Sequence, residues 1–87
     1  MNNKRVLKRG GIDLYDKQGA LQFIENCEKQ NIRIFGVDGF FISDEKTQPS
    51  LENSIDFSIL PSQEGIYEMA KQLIQRSNDG MYFEIVC

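Results

Sequence analysis

Apolar positions along this chain fall into five patterned stretches, and each pattern predicts an element. The stretch from Asn31 to Ser43, NIRIFGVDGFFIS, places Ile32, Ile34, Phe40 and Ile42 on one parity and Phe35, Val37 and Phe41 on the other. Side chains of a strand alternate between faces, so a segment apolar on both parities predicts a strand over 31–43, covered on both sides, at the centre of a sheet. Before it, Ala20, Leu21, Ile24 and Cys27 form a stripe opposite Gln22, Glu25, Asn26 and Lys29. That spacing predicts an amphipathic helix over about 16–30. Asp16 is placed to cap it, because its carboxylate can accept from the free amides of the first turn. After the central stretch, residues 54–59 alternate Ile55, Phe57 and Ile59 against Ser54, Asp56 and Ser58, the pattern of a half-buried strand. Ile66, Met69, Ala70, Leu73 and Ile74 then follow helical spacing, predicting a second helix over about 62–77, capped by Ser62 and stopped at Asn78-Asp79-Gly80. The last stretch alternates Met81, Phe83, Ile85 and Cys87 against Tyr82, Glu84 and Val86, a further strand.

These elements make an α+β fold: a sheet of at least three strands in the order 2-1-3, with 31–43 in the middle and both helices packed on it. A strand, helix, strand sequence implies a crossover that brings the last strand beside the central one. The connector DEKTQPSLEN, with Pro49, is expected to leave the sheet as a long exposed loop. Residues 1–10 form a basic segment that ends at Gly10-Gly11 and reads either as a solvated tail or as an edge strand using Val6 and Leu7. Gly36 and Gly39 within the central strand suggest a bulge or a close backbone approach. Eighty-seven residues fit one domain, 1–87, whose thin core rests on a few large side chains.

Composition changes this picture mainly by exclusion. The chain has no histidine, so the usual triads and histidine general-base arrangements are ruled out. Asp38 and Asp56 invite comparison with a carboxylate pair or a metal site, but both need a cleft that so small a sheet offers little room for. No phosphate-cradling glycine loop is present. The protein is therefore expected not to be an enzyme, and to need neither metal nor cofactor. Cys27 lies on the apolar stripe and reads as a small core residue. Two cysteines without close spacing suit neither a disulfide framework nor a zinc site, so a cytoplasmic setting is expected. No apolar run approaches the length of a membrane helix, and the N-terminus lacks the apolar region of a secretory signal.

Charge is unevenly distributed. Lys4, Arg5, Lys8 and Arg9 make residues 1–10 basic, while the rest of the chain sets six basic residues against thirteen acidic ones, a net charge of −7. Such a body repels nucleic acid and anionic membranes and favours basic proteins. Acid falls on positions read as loop or polar strand face: Asp38, Asp44, Glu45, Glu52, Asp56 and Glu84. These read either as a solvated face or as a docking face for a basic protein.

The run ALQFIENCEKQNIRIFGVDGF, the polar connector with Pro49 and then ENSIDFS resemble small bacterial immunity proteins of contact-dependent growth inhibition and related polymorphic toxin systems. The shared look is a helix entering an I-x-I-x-G-x-D-x-F strand, followed by an acidic S-x-D-x-S strand, over residues 20–58. The resemblance implies a cytoplasmic inhibitor that occludes the active site of a cognate toxin, often a basic nuclease. A small regulatory or adaptor module, binding a ligand or a larger protein assembly, is the alternative that composition leaves open.

Overall fold

The computed structural model describes residues 6–60 and 64–87. It is an α+β fold: a five-stranded antiparallel sheet with two helices. In chain order the elements are β1 (Val6–Arg9), β2 (Ile12–Tyr15), α1 (Lys17–Lys29), β3 (Gly36–Ile42), β4 (Thr47–Asp56), α2 (Ile66–Arg76) and β5 (Tyr82–Val86). The sheet order is β1-β2-β5-β3-β4. The expected order 2-1-3 therefore matches only loosely. Of the expected strand over 31–43, only Gly36–Ile42 is strand; it is interior, between β4 and β5, and two N-terminal strands extend the sheet beyond β5.

The extra strands come from short-range chemistry. Gly10 and Gly11 both adopt positive φ, 56° and 82°, the turn conformation that matches the twist of a two-residue hairpin. They fold Val6–Arg9 back onto Ile12–Tyr15, pairing Val6 with Tyr15 and Arg9 with Ile12. The described part of the basic segment is thus an edge strand. Lys4 and Arg5 lie outside the described residues, as do Pro61 and Ser62, the expected helix cap.

Helix α1 begins as its sequence requires: the Asp16 carboxylate accepts from the Gly19 N–H at 2.7 Å. Its buried positions are Gly19, Ala20, Ile24 and Cys27. Helix α2 starts after Gly65, at φ 80°, and buries Ile66, Ala70, Leu73 and Ile74. Met69, expected within that stripe, stands at its exposed margin. The helices join Ile34, Val37, Phe57, Met81, Phe83 and Ile85 in one core. Each large aliphatic or aromatic side chain buried there contributes about 1.5–3 kcal/mol by leaving water.

Both helices lie against the same face of the sheet, the face of Phe83 and Ile85. Residues 31–43 were expected to have cover on both sides, and on the other face that cover is partial. Leu14 is fully buried outside the main core. Its neighbour Tyr15 stacks on Phe23 of α1, with ring centroids 5.1 Å apart, so alternation turns Leu14 to the opposite face. The Arg9 guanidinium donates to the Ser43 carbonyl at 2.9 Å and to Thr47 Oγ1 at 3.2 Å. One edge of the sheet therefore curls toward the turn that joins β3 to β4.

The largest departure from expectation is β4. Residues 44–53 were expected to form a long loop, yet Thr47 to Ser50 pair with Ile42 to Gly39, and only residues 43–46 turn. Strand β4 lies at the edge of the sheet, where Pro49 is tolerated and where polar side chains on both faces meet water. The alternation over 54–59 also ends early. The Asp56 carboxylate accepts from the Ser58 N–H at 2.8 Å, a local turn that competes with strand pairing. Ile59, expected inward, is consequently 86% exposed.

Candidate functional site

Strand pairing places the acidic residues of the helix-free face. Along the β3–β5 ladder, Asp38 stands directly opposite Glu84, and Gly36 stands opposite Val86. Across the other side of β3, Gly36 pairs with Asp56. Glu84 alternates with the buried Phe83 and Ile85, so it and Asp38 point away from the helices. Asp38, Glu84 and Asp56 are thus gathered on neighbouring rungs of three adjacent strands.

The three carboxylates do not share one environment. Burial raises the Asp38 pKa above the ordinary aspartate value, and the Asp56 charge raises it further. Burial likewise raises Glu84, with the Asp38 charge adding to it. Asp56 is exposed, and the hydrogen bond from Ser58 lowers its pKa. Like charges directly opposite one another weaken a strand pair, so this face keeps an arrangement that does not favour its own folding.

That cost has a measurable sign. Asp38 and Glu84 titrate above their unfolded values, so their ionised forms oppose the native state at neutral pH. The penalty fades as pH falls through the raised values and is gone below the unfolded ones. Asp38→Asn is therefore expected to melt at a higher temperature than the parent at pH 7. The difference should close near pH 3, below the ordinary carboxylate range of about 4. Partial exposure keeps the effect modest, because water screens both groups. Melting curves at the two pH values test this, and a lower Tm for the variant at pH 7 would refute it.

Apolar surface borders the acid. The Phe35 N–H donates to the Val86 carbonyl at 2.6 Å, which sets two half-exposed side chains, 42% and 40% accessible, beside the carboxylates. Phe35, Asp38, Asp56, Ser58 and Val86 line a shallow depression of about 260 Å³. The Arg33 guanidinium sits 5.2 Å from the centre of the Phe35 ring and donates to the Leu60 carbonyl at 2.8 Å, which fixes one wall.

The other acidic residues singled out in the sequence lie elsewhere. Asp44 and Glu45 occupy the turn after β3, where the Ser43 N–H donates to the Lys46 carbonyl at 2.9 Å. Asp44 is six residues from Asp38 along the strand, about 20 Å at ~3.3 Å per residue. Glu52 is exposed on the outer edge, in the irregular part of β4 that faces Asp38. Phe35 and Val86 were not recognised as site residues from sequence. The available signal was Val86 itself, an apolar residue on the otherwise polar parity of the last strand.

Among the described residues, no group of three or more Cys, Asp or Glu is arranged to hold a metal ion, and no helix is long and apolar enough to cross a membrane. Comparison with protein-family models, curated proteins and solved structures returns no match to this chain.

Proposed function

We propose that this protein is an immunity-type inhibitor that binds a basic toxin domain, such as a nuclease, and occludes its active site, acting in the cytoplasm. The observation that carries the proposal is the face described above: Asp38 and Glu84 held side by side against their own repulsion, with Asp56 adjacent and Phe35 and Val86 exposed at the border. A face serving solubility alone gains nothing from crowding carboxylates on paired strands. A partner's lysine or arginine relieves that repulsion on binding, and the apolar border supplies area to bury. The resemblance of residues 20–58 to immunity proteins points the same way, as does the −7 body.

In this reading the docking face centres on the strands, at Asp38, Glu84 and Asp56, rather than on the Asp44–Asn53 segment that the sequence suggested together with the polar face of the following strand. Asp44 and Glu45 become outlying charges that steer encounter over a distance, and Glu52 extends the acidic edge. Steering of this kind depends on salt, because the Debye length falls from about 10 Å at 0.1 M to about 3 Å at 1 M.

The test is a binding measurement with a cognate basic toxin domain, sought first among the genes beside this one. The triple variant Asp38→Asn, Asp56→Asn, Glu84→Gln is expected to associate about ten-fold or more slowly and to lose most of the salt dependence. Glu45→Gln should change the rate far less. The triple variant should remain folded, since removing the Asp38–Glu84 repulsion favours the native state. Association rates that match the parent at every ionic strength would refute the docking face.

A further inference from the structure

Cys27 and Cys87 lie sixty positions apart in sequence, but the fold converges on them. Met81, Phe83 and Ile85 are buried on the helix side of the sheet, and Cys87 is the next residue of that parity, so it faces the layer that holds α1. Cys27 lies on the core side of α1, in the same cluster as Ile85. The short link between α1 and β3 ties both neighbourhoods together. Its Ile32 N–H donates to the Cys27 carbonyl at 2.8 Å, and its Phe35 N–H donates to the Val86 carbonyl at 2.6 Å. Burial is the main reason the Cys27 pKa is raised, and the charge and hydrogen bonding of Cys87 add to it. Both cysteines are free, one buried and the other exposed.

We infer that Cys27 and Cys87 form a redox-responsive disulfide site that fastens the end of β5 to α1, with a small-molecule disulfide as its oxidant. The pairing of one exposed and one buried thiol sets the order of events. The Cys87 thiolate attacks a sulfur of the oxidant, forming a mixed disulfide and releasing one thiol. Cys27 then gives up its proton and attacks the Cys87 sulfur, expelling the second thiol and closing the protein disulfide. Two electrons and two protons pass from the cysteine pair to the oxidant, which leaves as two thiols. The buried partner makes the reaction intramolecular, so it outcompetes a second protein molecule for the mixed disulfide. This site is independent of the docking face, and it stands or falls separately from it.

The experiment treats the folded full chain with oxidised glutathione, traps remaining thiols by alkylation and reads the product by mass spectrometry under non-reducing conditions. The expected product is monomeric, lighter by about 2 Da, and yields a Cys27–Cys87 linked peptide that dithiothreitol separates. Closing so long a loop should raise Tm by about 10 °C. Cys87→Ser should show neither the mass change nor the shift. Cys27→Ser should stop at a glutathione adduct on Cys87. If that variant fails to fold, the linked peptide in the parent and its loss in Cys87→Ser decide the question. A stable adduct on Cys87, or a dimer through Cys87, with Cys27 still reduced in the parent protein, would overturn the assignment.

Discussion

Phe83→Ala is expected to remove a large share of this protein's stability. Phe83 is fully buried in the third of five strands. It stands opposite Tyr15 on one side and Gly39 on the other. Its ring lies on the face that both helices cover, within the main core. Truncating a buried phenylalanine costs about 3–5 kcal/mol, part of it lost transfer energy and part the cavity left behind. A chain of this length has a total stability of roughly 4–13 kcal/mol, so the loss is a large share of the whole. At about 4–8 °C per kcal/mol, Tm should fall by more than 12 °C. Phe41→Ala is the matched control: Phe41 is 44% exposed near the end of β3, and its removal should cost less than about 1 kcal/mol. Urea midpoints for the two variants give the comparison. Similar shifts for both would mean that the core is not centred on β5.

What the sequence made legible follows from where a buried face exists. Helix α2 and strand β5 each pack one clean face on the core, so their periodicity located them, and Leu73 and Phe83 are buried as the patterns imply. Asp16 was equally readable, because capping is a local contact between a carboxylate and an amide two or three residues away. The first part of strand β4 was not readable. Residues 47–53 lie on an edge strand, exposed or half-exposed on both faces, so they show no alternation and Pro49 looks like a loop residue; the alternation over 54–59 marked only the end of the strand. Strand β2 is only four residues long, IDLY, too short for period two to stand out. Ile59 was assigned inward by parity, but one local bond from Ser58 to Asp56 ends the strand before parity can act.

The candidate site divides in the same way. Its acidic residues were visible individually as polar positions on predicted strands. Their adjacency was not, because the pairing of Asp38 with Glu84 depends on the register between β3 and β5. A shift of one residue would have sent one of them into the core. The cysteine pair was hidden for a related reason: sequence spacing says nothing about two residues that meet only when α1 and β5 pack together.

Gly39→Ala is the second substitution with a large expected effect, and its cause is steric. Asp38 alone opposes the four β4 residues Leu51, Glu52, Asn53 and Ser54, between the pairs Val37–Ile55 and Gly39–Ser50. This irregularity tucks Asn53 over Gly39. A Cβ on Gly39 would meet the Asn53 carbonyl oxygen at 2.6 Å and the Asn53 Cβ at 2.9 Å, distances that force backbone to move. Asn53 has little freedom to yield. Its amide donates to Ser77 Oγ at 2.9 Å, and its carbonyl-type side-chain oxygen accepts from Ser50 Oγ at 2.8 Å. Ser77 is itself buried and donates to the Leu73 carbonyl at 2.7 Å, so a shift of Asn53 threatens buried hydrogen bonds at the end of α2. Overpacking of this kind costs about 1–3 kcal/mol, and an orphaned buried polar group adds about as much again. Gly36→Ala provides the contrast, since its nearest contact would be the Ile55 carbonyl at 3.2 Å, where a few tenths of an ångström suffice. The expected result is a Tm loss for Gly39→Ala several times that for Gly36→Ala. It should come with faster amide exchange at Gly39, whose N–H donates to Ser54 Oγ at 3.1 Å. Equal and small losses at both glycines would show that the edge strand gives way freely, and that its irregular turn over Asp38 is not held by the core.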